Sequence, residues 1–157
     1  MPGLAAEIAR LTPWLPRGLV LQSDGRPAPD HPGLALQWLG TAGFRLQLQG
    51  FHLWLDPHLS RLRPRELVAG RVAPNLQRIQ AEVDVAHAIA VGHSHYDHVM
   101  DAPAIAKLHG APVYGSRDVL QVCRGQGVSE SQLHELRGWG ERFEVGPFTL
   151  RPIRSRH

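Results

Sequence analysis

Apolar and polar residues alternate along the chain from Leu34 onward. Leu34, Leu36 and Trp38 alternate with Ala35 and Gln37, and Phe44, Leu46 and Leu48 alternate with Arg45, Gln47 and Gln49. A period of two predicts strands, and the second run reads as a half-buried one, apolar side in and polar side out. Gly40-Thr41-Ala42-Gly43 interrupts the pattern and Gly50 marks a turn. Phe51, Leu53 and Leu55 then carry the apolar face to Asp56-Pro57. Residues 34–56 are therefore expected to form antiparallel strands joined by tight turns.

Further on, the pattern predicts strand–helix alternation. Pro64 and Pro74 break the stretch after Pro57, and Leu76 to Ala81 has room for a turn or two of helix. Val83 to Val91 is nearly all apolar, which suits a strand covered on both faces. Asp101-Ala102-Pro103 reads as a helix start, with Asp101 capping free amides and Pro103 tolerated in the first turn. Ile105 and Leu108 supply its inward stripe and Gly110 ends it. A short strand over Ala111 to Tyr114 follows, then a helix over Asp118 to Cys123 closed by the glycines at 125 and 127, and a strand over Leu133 to Leu136. Arg142 to Val145 and Phe148 to Ile153 form a hairpin around Gly146-Pro147. Before all this, Ala5 to Leu15 predicts a short amphipathic helix bounded by Pro13 and Pro16, and Ser23 to Asp30 a loop. The order of elements, strands first and strand–helix–strand units after, predicts a layered α/β fold.

Composition narrows the function. The chain has 157 residues, enough for one domain with its own core, and an ordinary 43% apolar and 20% charged content. One cysteine, Cys123, excludes an internal disulfide and suits a reducing compartment; on a predicted helix it is expected to be packed rather than reactive. The first residues lack the basic start and apolar run of a secretion signal, and no stretch approaches the ~20 apolar residues of a membrane span. These features predict a soluble, cytoplasmic protein with no membrane span. Net charge is +3, and Lys107 is the single lysine. Arg61, Arg63 and Arg65, and then Arg151, Arg154 and Arg156, form two loose groups that suit either solvated surface or attraction of an anionic small-molecule substrate. A nucleic-acid surface would want denser charge with interleaved aromatics, which is absent from the sequence.

The outlying feature is histidine. Ten are present, and three fall in the run His93-Ser94-His95-Tyr96-Asp97-His98. At a strand end, residues two apart project to one side, so His93 and His95 are paired, and Asp97 continues the spacing as the chain turns. One metal could take His93 and His95, and a second could take Asp97 and His98. Nitrogen and carboxylate donors suit zinc, with iron or manganese also accommodated. A chance cluster of surface histidines is the alternative; four ligand-type residues directly after a buried strand, where active sites of such sheets gather, weigh against it. His31, His52, His58, His87, His109 and His134 have no ligand spacing and read as surface or structural.

His-x-His-x-Asp-His after an apolar strand resembles the signature of the metallo-β-lactamase superfamily. The resemblance extends to Gln37-Trp38-Leu39-Gly40-Thr41-Ala42-Gly43-Phe44, to Leu53-Trp54-Leu55-Asp56-Pro57, and to Gly146-Pro147-Phe148-Thr149-Leu150-Arg151-Pro152-Ile153 leading to His157. It departs at Thr41, where histidine is more usual. The His95–His98 form is similar to the branch of ascorbate-phosphate lactonases and phospholipase-D-type hydrolases of N-acyl phosphatidylethanolamines. Oxygen-reducing di-iron relatives usually carry glutamate at the position of His95, and antibiotic-hydrolysing zinc relatives usually lack an equivalent of His98, so both readings are disfavoured.

The resemblance implies an αββα sandwich, of which residues 34–157 would be the first half, with mixed and antiparallel strands and flanking helices, after an extension over residues 1–33. It implies that His93, His95 and His157 bind a first metal and Asp97 and His98 a second, with Asp56 orienting the cluster from outside it. The implied activity is a metal-dependent hydrolase with two zinc ions, whose metal-bound hydroxide attacks an ester, lactone or phosphodiester. Asp97 is the expected catalytic carboxylate, orienting the nucleophile and accepting its proton. The family's other half supplies a bridging aspartate and a last histidine, so the chain is expected to be an N-terminal piece or one half of a split assembly. Other readings are a non-catalytic metal-binding half that needs a homodimer partner or a complementing C-terminal half, and a nuclease of the same superfamily.

Overall fold

The computed structural model describes residues 33–62, 66, 72–137 and 140–153. The expected helix at Ala5 to Leu15, the loop at Ser23 to Asp30, and Arg63, Arg65, Arg154, Arg156 and His157 lie outside the described residues. Among the described residues there are eight strands: β1 (Leu34–Gly40), β2 (Gly43–Leu48), β3 (Phe51–Leu55), β4 (Ala88–Val91), β5 (Val113–Gly115), β6 (Leu133–Glu135), β7 (Phe143–Val145) and β8 (Phe148–Leu150). The helices described are α1 (Leu76–Glu82), α2 (Tyr96–Val99), α3 (Ala102–His109) and α4 (Arg117–Gly125), with a short 3-10 turn at Glu130–Gln132. Six strands form one mixed sheet in the order β1-β2-β3-β4-β5-β6, and β7 and β8 form a separate hairpin. The mixed α/β layering matches the sequence expectation. No helix among the described residues is long and apolar enough to cross a membrane.

The antiparallel end of the sheet follows from its alternation and turns. Leu34 faces Leu48, Leu36 faces Leu46 and Trp38 faces Phe44, and β2 pairs with β3 through Leu46–Leu53 and Phe44–Leu55. Gln49 and Gly50 join β2 to β3 with φ of 52° and 78°. Two successive left-handed residues are what a tight hairpin on right-twisted strands requires. From β3 the sheet turns parallel: Trp54 lies beside Ile89, Ile89 beside Val113 and Val113 beside Leu133.

Because side chains alternate, the sheet has two separate apolar faces. On one, Trp54, Ile89, Val91 and Val113 pack with Ile79 of α1, Ile105 of α3 and Val119 and Cys123 of α4 in a continuous core. On the other, Leu53, Ala88 and Val145 are buried with Phe51, Leu55, Tyr114, Phe148 and Leu150, so the β7–β8 hairpin covers this face. Toward β1 the second face is open: Leu36 and Trp38 are 64% and 66% exposed.

Three expectations need correction. The apolar run Val83 to Val91 is strand only over Ala88–Val91. Val83 caps α1, Asp84 accepts from the Val85 amide, and the Val85 carbonyl accepts from Trp54 Nε1 at 2.9 Å. Those bonds hold residues 83–87 as a loop, although Val83 and Ala86 are buried. Asp101 does occupy the position before α3, but with helical dihedrals and no side-chain capping bond. Its carboxylate is engaged elsewhere, on the Leu59 and Ser60 amides. Leu108 is half exposed rather than inward; Ala102, Ile105 and Ala106 form the buried stripe of α3. Gly110 ends that helix in the left-handed conformation, as expected.

Candidate metal centre

Strand β4 leaves the core at Val91 and passes through Gly92 into the histidine run. His95 occupies the cap of α2 with extended dihedrals, and its carbonyl accepts from the amides of His98 and Val99, both at 3.0 Å. This turn is what folds His98 back. The His93 ring lies 4.6 Å from the His95 ring and 3.9 Å from the His98 ring, centre to centre. So His98, which the spacing left free to face elsewhere, joins the other two imidazoles in one cluster.

Asp56 arrives from the neighbouring strand. Since β3 and β4 are parallel, they end at the same edge of the sheet. The Asp56 amide donates to Ala90 O at 2.9 Å, and Asp56 Oδ1 accepts from the Gly92 amide at 2.6 Å. Asp56 itself is held at φ 42°, a conformation that costs most residues energy. Its other oxygen, Oδ2, lies 3.1 Å from His98 Nδ1, and Asp97 Oδ2 lies 3.7 Å from His98 Nε2. His98 Nδ1 is buried and off the line of a good hydrogen bond, so its contact with Asp56 is close but not aligned. The approach at Gly92 is close: a Cβ there would stand 3.2 Å from Asp56 Oδ2.

Imidazole and carboxylate donors of this kind fit a divalent transition metal. A histidine that binds metal through one nitrogen commonly gives its other N–H to a carboxylate, and the two sides of His98 face two carboxylates. The fit is one of donor chemistry and grouping. Among the described residues no three His, Cys, Asp or Glu side chains are already set around a single ion position, and His157 lies outside them.

His58 is a neighbour that sequence spacing missed. It is buried, its ring meets Tyr96 edge-on at 6.1 Å, and its Nδ1 has no hydrogen-bond partner. Burial lowers its affinity for a proton, Asp101 opposes that shift, and Arg61 adds to it. The only signal was its place two residues after Asp56. Thr41, the departure from the family pattern, accepts from Arg61 Nη1 at 2.8 Å, and Arg61 also donates to Leu39 O. The same turn touches the site through Gly43, whose Cβ position is 2.8 Å from the Asp56 carbonyl oxygen. A groove of about 460 Å³ lined by residues including Ile79, Met100, Pro103, Lys107 and Leu108 lies apart from the histidine run, none of whose residues line it.

A family model described as a β-lactamase superfamily domain matches residues 53–157. Proteins described as UPF0173 metal-dependent hydrolases are similar in sequence. The one from Pyrobaculum neutrophilum is 28% identical over 99 residues, covering 63% of this chain and 40% of that protein. The one from Methylocella silvestris is 34% identical over 95 residues, covering 60% and 37%. The chain thus spans about two fifths of the length of the curated relatives it matches. Two solved structures share the fold: Igni18, a metallo hydrolase from the archaeon Ignicoccus hospitalis, at TM-score 0.52 and 19% identity over 73% of this chain and 45% of that one, and the E377D mutant of CmlA β-hydroxylase at TM-score 0.51 and 17% identity over 77% and 24%. The family match takes in more than half of the chain, with Asp56 and the whole run from His93 to His98 inside it, and the chain belongs to the metallo-β-lactamase superfamily.

Proposed function

We propose that the chain carries the metal-binding part of a hydrolase that cleaves an ester, lactone or phosphodiester, with zinc as the metal and iron or manganese as substitutes. The observation that carries this reading is His98 standing between Asp56 and Asp97 while its ring packs on His93. The relatives' description as metal-dependent hydrolases supports it. His93, His95, Asp97, His98 and His157 are the proposed ligands, of a pair of ions in the complete site. When bound, the metal supplies a nucleophile from water near neutral pH and neutralises charge on the reacting oxygen.

The chain's own groups do the rest. Asp56 fixes the orientation of the His98 ring. Asp97, partly exposed beside His98, is the proposed group that holds the attacking water and accepts its proton. Arg61, whose guanidinium is held by Thr41 and Leu39, offers positive charge beside this edge of the sheet to an anionic substrate.

A second reading is favoured by the open apolar face at Leu36 and Trp38: a metal-binding half that is completed by a second copy or another chain. One experiment separates the two. Metal per chain is measured by elemental analysis on protein purified without chelators, together with mass in solution and turnover of ester, lactone and phosphodiester probes. Bound zinc with turnover by the monomer supports the hydrolase reading. Bound zinc with turnover only in a dimer supports the second. No bound metal at all would sink both.

A further inference from the structure

We infer that Asp101 is a positioning residue for the metal centre, pinning the segment 56–60 so that Asp56 is held against His98. The inference rests on the metal-binding reading above. Asp101 is fully buried, three residues beyond His98. Its Oδ2 accepts from the amides of Leu59 and Ser60 at 2.6 and 2.7 Å. The segment those amides belong to begins at Asp56, which bonds to the Gly92 amide and faces His98 at its other end. Residues 56–60 and the metal-binding turn are therefore strapped together at both ends.

A side chain in this position would ordinarily cap α3, and Asp101 does not. A carboxylate is also a costly way to tie down two amides inside a protein, since its charge is taken out of water. The cost is compounded because Oδ1 is buried without a hydrogen-bond partner, and unsatisfied buried polar atoms are rare in folded proteins. Departures of this kind from local stability are expected where function imposes them. The strap reaches further: Ser60 Oγ accepts from the Asn75 amide at 2.6 Å, which anchors the start of α1 to the same segment. Asp101 is thus the point where the segment holding Asp56, the exit of α2 and the start of α3 meet.

The test is a double-mutant cycle on zinc affinity, read by competition with a chromophoric chelator for wild type, Asp101→Asn, Asp56→Asn and the double variant. Asp101→Asn is expected to weaken zinc by about 10-fold or more, the scale of outer partners of metal ligands. If Asp101 acts through Asp56, the double variant binds no more weakly than Asp56→Asn alone. Unchanged affinity in Asp101→Asn, or effects that multiply, would overturn the inference. A second measurement needs no variant. Coupling is reciprocal, so zinc must slow hydrogen exchange at the Leu59 and Ser60 amides of the wild-type protein more than at Val113, far along the sheet. Bound zinc with unchanged exchange at Leu59 and Ser60 overturns the role of Asp101 while leaving the metal reading intact. A wild-type protein that binds neither zinc nor manganese overturns both.

Discussion

His98 Nδ1 and Asp56 Oδ2 are 3.1 Å apart although the two residues come from different strand ends. The contact exists because β3 and β4 run parallel and stop at the same edge. A small turn of the ring would align it as a hydrogen bond, and that bond would favour the tautomer with hydrogen on Nδ1 and leave Nε2 for a metal. Replacement of Asp56 by Asn keeps the size and removes the charge. Zinc affinity is expected to fall by about 10- to 100-fold, measured by chelator competition; an unchanged affinity would show that Asp56 does not orient the ligand.

Two glycines make a matched pair of tests. A Cβ at Gly43 would sit 2.8 Å from the Asp56 carbonyl oxygen, a backbone atom that cannot move aside cheaply. Gly43→Ala is expected to cost about 1–3 kcal/mol, as overpacking does, and to weaken zinc binding by displacing Asp56. Gly125, the last residue of α4, has open space around it. There Gly→Ala is expected to stabilise by about 0.4–1 kcal/mol, by reducing the freedom of the unfolded chain. Urea unfolding of the two variants reads both signs.

Stability should depend on pH through a histidine outside the metal cluster. His52 is buried, its Nδ1 lies 2.7 Å from Arg45 Nη2, and burial and Arg45 hold its proton affinity below the ordinary value of 6.5, against the opposing pull of Asp84. His87, whose Nδ1 accepts from the His52 amide, completes the group. On acidification the unfolded chain takes up this proton first. The contribution of neutral His52 is therefore full above about pH 6.5 and is lost as pH falls from there toward the lower folded value. Urea midpoints between pH 7.5 and 5 should decline, and His52→Gln should flatten the decline. An equal slope in the variant would assign the effect to another group.

The open face makes a prediction about association. Leu36 and Trp38 lie on the edge strand β1, side by side on the same face and largely exposed. Replacing both by Glu removes the apolar patch without touching the core, so stability should change by no more than about 0.5 kcal/mol per site. The wild-type protein is expected to self-associate in light scattering, and this variant is expected not to. Retention of a dimer by this variant would place the contact elsewhere.

The parts that were legible in the sequence are those written in local pattern. Alternation over residues 34–55 and the glycines at 50, 110 and 146 predict the strands and turns that the structure has. The pairing of His93 with His95 also follows from spacing, whereas the return of His98 to them depends on the turn at His95. What was not legible depends on partners distant in sequence. Val85 and His87 look like strand residues because apolar content cannot distinguish a buried loop from a strand; bonds to Trp54 and His52 decide the matter. Asp101 looks like a helix cap because nothing nearby announces Leu59 and Ser60. His58 looks incidental until the β3 exit is folded beside α2.

Cys123 packs in the core against the helical face of the sheet, and burial pushes its thiol up to about 11. A thiol so sealed is almost wholly protonated at neutral pH, and it is the thiolate that reacts with oxidants, alkylating reagents and soft metals. The one cysteine of the chain therefore supplies no thiolate to compete with imidazole and carboxylate groups for a metal ion.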